Sequence, residues 1–300
     1  MKSIKQERIF FMTELIYKIM KPETEVKATL VCVHGMQEHH ARYIPFAREL
    51  SKQGIAVLIY DLPGHGEAFK DELGYFANQN GDEVLIQSVD TMVKKLHTEY
   101  PDVPHFLFGH SMGSIVVRLY LERNDDFAGV ILCGAPNYRP AAGFGKKLAQ
   151  LLVKIKGAKA KTKLLTALSV GAFSKAVKNA KTPVDWLSYN EDNVNKFLHD
   201  ELCGVPFTDA GNRDLFTMVS HLHHPFIAKN PSLPILFISG EDDPCTGGTL
   251  GLVDSISTLQ KNGYANIENI TFPKMRHEIL NEKENHLVIE EIIKFINQHQ

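Results

Sequence analysis

Residues 105–123 read HFLFGHSMGSIVVRLYLER. Phe106, Leu107 and Phe108 form the short apolar run that a buried strand needs. Gly109-His110-Ser111-Met112-Gly113 is a tight turn, and Ile115, Val116 and Leu119 then recur at helical spacing. The turn follows the pattern G-x-S-x-G. Between a strand and a helix, such a turn holds a serine in a strained conformation with its hydroxyl exposed. The small residues two before and two after it let strand and helix meet. This is the geometry of a nucleophile elbow. With 21 glycines in 300 residues, chance alone yields roughly 0.06 such patterns, so the rest of the chain must supply the partners.

Outward from the elbow, Ala28 to Val33 is a continuous apolar run ending in His34-Gly35, and Ile55 to Tyr60 is another ending in Asp61. Ile44, Phe46, Ala47 and Leu50 mark a helix between them, and Val84 to Tyr100 marks a longer one. Val130 to Cys133, Ile235 to Ile238 and Ile267 to Phe272 continue the series. Runs of this length, separated by amphipathic helices, predict an α/β fold: a mainly parallel central sheet, its strands buried on both faces and flanked by helices. An antiparallel α+β protein would show alternating strands joined by two-residue hairpins, and none is evident. Arg8 to Met20 reads as an opening pair of strands interrupted at Thr13-Glu14.

The alternation stops after Pro136 and resumes near Leu233. We therefore expect two units: a core from residues 1–135 and 229–300, and an inserted helical cap from 136–228, its first helix carrying Leu148, Leu151, Leu152 and Ile155 on one face. From Phe127 to Val184 there are ten lysines and Arg139 and no acidic residue, a charge of +11; the other 22 basic and 35 acidic side chains leave −13 elsewhere. Those lysines are either a solvated helical face that keeps the cap soluble, or a basic rim that attracts an anionic lipid surface or a phosphate head group at about 1 kcal/mol each. Nucleic acid is not an expected partner: the whole chain carries −2, and no aromatic or Arg-rich recognition motif accompanies the lysines.

A composition of 44% hydrophobic and 23% charged residues supports a large core. The first twenty residues are broken by charges and lack a small-residue cleavage site, and no run reaches the ~18 apolar residues of a membrane span. The expectation is a soluble, cytoplasmic protein, monomeric or homodimeric. Cys32, Cys133, Cys203 and Cys245 have neither metal-ligand nor disulfide spacing and read as reduced thiols.

Serine needs a base to take its proton, and that histidine needs an acid to fix its tautomer. Ligands of open α/β sheets bind at the C-terminal ends of the strands, so both partners belong on loops there. Gly240-Glu241-Asp242-Asp243-Pro244 follows one late strand and Pro273-Lys274-Met275-Arg276-His277-Glu278 follows the last. His277 is the candidate base. Asp243 is the favoured acid because Pro244 ends the turn directly after it, with Glu241 and Asp242 as alternatives. Two donors are required for the oxyanion. The Met112 amide, at the start of the helix, is one; the Met36 amide, in the loop after Ala28 to Val33, is the other.

Taken together, HGMQEHHARY (34–43), DLPGHG (61–66), GHSMGS (109–114), GEDDPC (240–245) and RHEILNE (276–282) resemble the monoacylglycerol lipase and bacterial lysophospholipase branch of the α/β-hydrolases, a group allied to serine aminopeptidase-like hydrolases. DWLSYNEDNVNKFLHDELCGVPFT (185–208) resembles the cap of the bacterial members. The resemblance implies a triad of Ser111, Asp243 and His277, an oxyanion hole of Met36 and Met112, and a cap over an acyl-binding tunnel. No cofactor and no metal are expected. Two departures stand out: Ala68 replaces a serine common after the GHG turn, and the Ser-Asp-Gly turn between the first two strands is missing around Met12 to Glu14.

Glu38, His39, Arg42 and Tyr43 read as structural support beneath the oxyanion loop. His221, His223 and His224 read as surface histidines, lacking the companions of a zinc site, and Gly64-His65-Gly66 is too short for a phosphate loop. The expected activity is hydrolysis of the carboxylic ester of a single-chain lipid, a monoacylglycerol or a lysophospholipid, through an acyl-enzyme on Ser111. A proline-type aminopeptidase would need cap carboxylates to hold a free amine, and Asp185, Glu191, Asp192, Asp200 and Glu201 are the candidates. A ligand sensor that kept a hydrolase fold is the non-enzymatic alternative.

Overall fold

The computed structural model describes residues 15–300. Seven strands form one sheet: β1 (Tyr17–Met20), β2 (Ala28–Val33), β3 (Ile55–Tyr60), β4 (His105–His110), β5 (Gly129–Cys133), β6 (Ile235–Gly240) and β7 (Ile267–Phe272). Their spatial order is β1-β3-β2-β4-β5-β6-β7, parallel throughout except for β1, which runs antiparallel to β3. The expected strand at the start of the chain is met by β1, paired Tyr17 to Tyr60 and Met20 to Val57. Residues 8–14 of that stretch, with the turn around Met12 to Glu14, lie outside the described residues.

β2, β3, β5 and β6 are buried along their whole length, as continuous apolar runs covered on both faces require. β7 departs from that expectation. Its sequence IENITF puts Glu268, Asn269 and Thr271 at exposed positions, because it is an edge strand with one neighbour. On one face of the sheet, α2 (Gly81–Glu99) and α3 (Met112–Tyr120) pack Val89, Met92, Leu96, Ile115 and Val116 over Val31, Val33 and Leu107. On the other, α1 (Ile44–Ser51) and a C-terminal helix, Asn285–Gln298, pack Phe46, Leu50, Ile289, Ile292 and Ile296 over Leu30, Cys32 and Phe108. Each such side chain contributes about 1.5–3 kcal/mol when fully buried.

Between β5 and β6 the chain is helical: α4 (Ala142–Lys156), α5 (Lys163–Ser169), α6 (Gly171–Ala176), α7 (Glu191–His199) and α8 (Asp209–His221). Helix α9 (Gly248–Lys261) follows β6, and the C-terminal helix is α10. The expected apolar face of α4 is only half covered. Leu148 and Leu152 pack on a narrow seam of Ala149, Leu165 and Phe216, while Leu151 and Ile155 stay 53% and 68% exposed. Residues 185–204, by contrast, are tied down. Glu282 accepts the Tyr189 and Asn190 amides, Arg276 donates to the Asp185 carbonyl at 2.6 Å, and the Gly204 amide donates to the Gln37 carbonyl at 2.9 Å.

The sheet order reverses direction at β2, flanked by β3 and β4, with Val33 paired to Gly109. A crevice opens at such a switch point beyond the strand ends, where the His34-Gly35-Met36 loop and the elbow come together.

Candidate active site

Ser111 sits between β4 and α3 with φ 52° and ψ −121°, a region costing a non-glycine residue about 1–3 kcal/mol. Fixed partners hold it there. Its amide donates to the Cys133 carbonyl at 2.9 Å, and its carbonyl accepts the Ser114 amide at 2.9 Å and hydroxyl at 2.6 Å. The glycines of the motif are sterically required. A Cβ on Gly113 would lie 2.3 Å from the Val33 carbonyl oxygen, and one on Gly109 would lie 2.7 Å from that of Gly113.

Asp243 and His277 follow β6 and β7 and meet at the crevice, with His277 Nδ1 2.9 Å from Asp243 Oδ2 and both side chains buried. The other Asp243 oxygen accepts the Cys245 amide at 2.8 Å. The alternatives of the sequence reading face elsewhere: Asp242 accepts from the Tyr189 hydroxyl at 2.9 Å, and Glu241 is exposed. Burial disfavours a charged His277. The Asp243 carboxylate, its hydrogen bond, and Glu278 and Glu38 beyond it outweigh that penalty and raise the imidazole above its ordinary pKa of 6.5. His277 Nε2 is buried with no hydrogen-bond partner among the described residues. Gly134, with φ 54°, lies against this pair, and a Cβ there would stand 3.1 Å from His277 Nδ1 and 3.2 Å from Asp243 Oδ2. Only its place directly after β5 could have marked it in the sequence.

The loop after β2 is built on Glu38. Its Oε1 accepts the Gly35 amide at 2.7 Å and the Tyr43 hydroxyl at 2.8 Å, and its Oε2 accepts from Arg42 at 2.7 Å. Burial opposes that charge, yet Arg42, His110 and His34 bring the carboxyl down to about 2. A Cβ on Gly35 would be 3.1 Å from Ser111 Cβ, so the backbone that leads into Met36 passes directly beside the serine. Met112 opens α3, where the first-turn amides have no intrahelical acceptor.

Two cavities meet at Ser111, Met36 and Trp186. The smaller, about 160 Å³, runs between Met112, Phe144, Leu215, Phe216 and Cys245. The larger, about 590 Å³, is lined by His277 and, among others, Gln37, Lys161 and Lys163. Cys245 escaped the sequence reading as a site residue. It lines the smaller cavity together with Ser111, and burial raises its thiol well above the ordinary cysteine pKa. All four cysteines are buried and unpaired.

On distance alone, Asp243, Cys245 and His277 could share a metal, as could His39, Asp200 and Cys203, and Glu122, His221 and His224. Each group is already engaged in protein hydrogen bonds, with His39 2.8 Å from Asp200 and His221 3.2 Å from Glu122. His223 lies apart, 3.0 Å from Asp254.

Residues 24–284 match the hydrolase family described as "Serine aminopeptidase, S33". A monoacylglycerol lipase of Mycolicibacterium smegmatis is 24% identical over 95% of this chain and 93% of its own, and a monoglyceride lipase of Rattus norvegicus is 29% identical over 76% and 69%. Among solved structures, a thermostable carboxyl esterase from Bacillus coagulans in complex with glycerol superposes with a TM-score of 0.87 at 26% identity, covering 95% of this chain and 94% of that one. The matched span takes in the elbow, the loop after β2, and the Asp243 and His277 loops, and the chain belongs to the serine aminopeptidase-like hydrolase family of the α/β-hydrolase fold.

Proposed function

We propose that the protein is a carboxylic ester hydrolase acting on single-chain lipids through an acyl-enzyme on Ser111. The observation that carries the reading is the buried Asp243–His277 pair, whose free Nε2 shares a cavity with Ser111. Ser111 Oγ attacks the ester carbonyl carbon while His277 Nε2 takes the hydroxyl proton. The carbonyl oxygen becomes an oxyanion held by the Met36 and Met112 amides, each such donor typically contributing about 3 to 4 kcal/mol. Collapse expels the alcohol, which takes the proton back from His277, and a water activated by the same nitrogen then releases the fatty acid. The relatives named monoacylglycerol lipase and monoglyceride lipase support an acylglycerol as the substrate class.

Residues 136–228 act as a cap over this site. Phe144, Leu151, Ile155 and Leu164 are each more than half exposed on its basic helices, where they suit contact with an anionic lipid surface. Salt would then weaken activity on anionic vesicles. Among the described residues, no helix is long and apolar enough to cross a membrane. The aminopeptidase alternative lacks a free acid for the substrate amine. None of Asp185, Glu191, Asp192, Asp200 and Glu201 lines either cavity, and Glu38 and Glu278 are both taken by Arg42.

An ester panel varying acyl length and head group, with Ser111→Ala as the blank, tests the reading. Turnover of acylglycerols that Ser111→Ala abolishes is the expected result. Turnover of proline-aminoacyl amides in preference to any ester would overturn it.

A further inference from the structure

His39 and Asp200 lie 161 residues apart, yet His39 Nε2 stands 2.8 Å from Asp200 Oδ2. The Cys203 sulfur joins them, and the three ligand atoms lie within 4.8 Å of one another. Backbone bonds hold the donors in place. The other Asp200 oxygen accepts the Leu202 amide at 2.9 Å, the Asp200 carbonyl accepts the Cys203 amide at 3.0 Å, and the His39 carbonyl accepts the Arg42 amide at 3.3 Å. His39 and Cys203 are buried, while the Asp200 side chain is 33% exposed and leaves a way in from solvent.

Thiolate, imidazole and carboxylate together are a zinc donor set, whereas magnesium and calcium take oxygen ligands. The hydrogen bond between His39 and Asp200 is no rival to an ion. It aims two of the donors at one point, and a metal takes the place of the proton between them.

The surrounding charge also suits a dication. Burial keeps the Cys203 thiol protonated; of the charged groups around it, Arg42 favours the thiolate, and Glu38, Asp200 and Glu278 oppose it. Three carboxylates against one guanidinium leave negative charge in excess. A bound dication offsets that excess and lets the sulfur ionise, as a metal-bound thiol does. The other two clusters are poorer sites. One contains the Asp243–His277 pair on which the Ser111 reading rests; the other, Glu122, His221 and His224, offers no sulfur and includes an exposed histidine.

We propose that His39, Asp200 and Cys203 form a binding site for zinc or a zinc-like divalent cation, and that the bound ion fastens residues 200–204 to the loop after β2. The ion adds to the single backbone bond from the Gly204 amide to the Gln37 carbonyl, 2.9 Å long, that already joins the two segments. None of the three ligands lines either cavity at Ser111, but Gln37, Glu38 and Gly204 line the larger one, so the ion stiffens a cavity wall without touching the substrate.

The test uses the full chain, treated with a chelator, and Co²⁺ as the probe, because a thiolate ligand gives cobalt an intense near-ultraviolet charge-transfer band that imidazole and carboxylate alone do not. Wild type is expected to bind one Co²⁺ with this band, which stoichiometric Zn²⁺ abolishes and a large excess of Mg²⁺ leaves intact. Cys203→Ser is expected to lose the band and to bind more than about a hundred-fold more weakly, and Cys245→Ser to keep it. Asp200→Asn retains the sulfur and is expected to keep the band at an affinity lowered by at least about ten-fold; it carries the test if Cys203→Ser does not fold. Zn²⁺ is expected to raise the thermal midpoint of wild type and not that of Cys203→Ser. A wild type without the band, displacement of cobalt by Mg²⁺, or affinity unchanged in Asp200→Asn would overturn the site. A band lost in Cys245→Ser and kept in Cys203→Ser would place the ion at the Asp243–His277 pair and overturn it too. Labelling of Ser111 by a fluorophosphonate is independent of each of these results, so the site and the Ser111 reading fail separately.

Discussion

Arg42 grips Glu278 through two hydrogen bonds of 2.6 Å, one from each terminal nitrogen, and the same guanidinium reaches Glu38 at 2.7 Å and Asn193 at 3.0 Å. Glu38 carries the loop after β2, Glu278 adjoins His277, and Asn193 belongs to the helical stretch between β5 and β6. One side chain therefore locks together the three parts of the site that the chain delivers from most distant positions. Removing it leaves two buried carboxylates without their cation, a change that costs about 3–5 kcal/mol. We predict that Arg42→Met lowers the thermal midpoint sharply and reduces kcat on a soluble ester by at least about ten-fold. Arg42→Lys restores the charge but not the fork and recovers only part of each.

The raised pKa of His277 sets the direction of the pH profile. In the proposed mechanism neutral imidazole is the base, so activity is expected to grow as pH rises through the His277 pKa, with the midpoint of the acidic limb of kcat/KM above 6.5. Asp243→Asn removes the carboxylate that holds the pKa up. The limb then moves to lower pH, and the rate falls by about 10⁴ because the tautomer is no longer fixed. A pH–rate profile of both proteins on one ester reads the two effects.

Glu38 governs acid stability. Its carboxyl stands at about 2 in the folded protein against an ordinary 4.5, so the unfolded chain binds the proton first. The stabilisation is complete above pH 4.5 and is lost as pH falls toward 2. Glu38→Gln is therefore expected to be less stable than wild type at pH 6, with the gap closing as pH falls through this window. Urea unfolding midpoints at pH 6, 4 and 3 measure it.

Gly134 separates catalysis from stability. A methyl group there would press on both His277 and Asp243, in a backbone conformation at φ 54° that costs a non-glycine residue about 1–2 kcal/mol. Gly134→Ala is predicted to lose activity by more than about a hundred-fold while its thermal midpoint falls by only a few degrees. Melting curves and ester turnover on the same preparation check this.

The parallel sheet was legible because β2, β3, β5 and β6 are buried on both faces and so read as unbroken apolar runs. β7 exposes Glu268 and Asn269 at the edge of the sheet, so its burial could not be read from its neighbours in sequence. The meeting of Ser111, Asp243 and His277 was legible because each lies in the turn or loop that follows a strand. The Arg42 clamp was seen only as local support, since its partners lie 151 and 236 residues away and nothing in short-range pattern encodes such a meeting. How far the apolar face of α4 is covered was not legible for a related reason. Periodicity marks which side chains share a face, and Leu151 and Ile155 do, but it carries no record of how much of that face the fold covers.

Intact-mass analysis after exposure to a fluorophosphonate, run on wild type and Ser111→Ala alongside ester turnover, tests the central claim most directly. The account predicts one adduct on wild type, mapped to Ser111, with no adduct and no turnover in Ser111→Ala. An unlabelled wild type, or equal labelling and turnover in the two proteins, would contradict it.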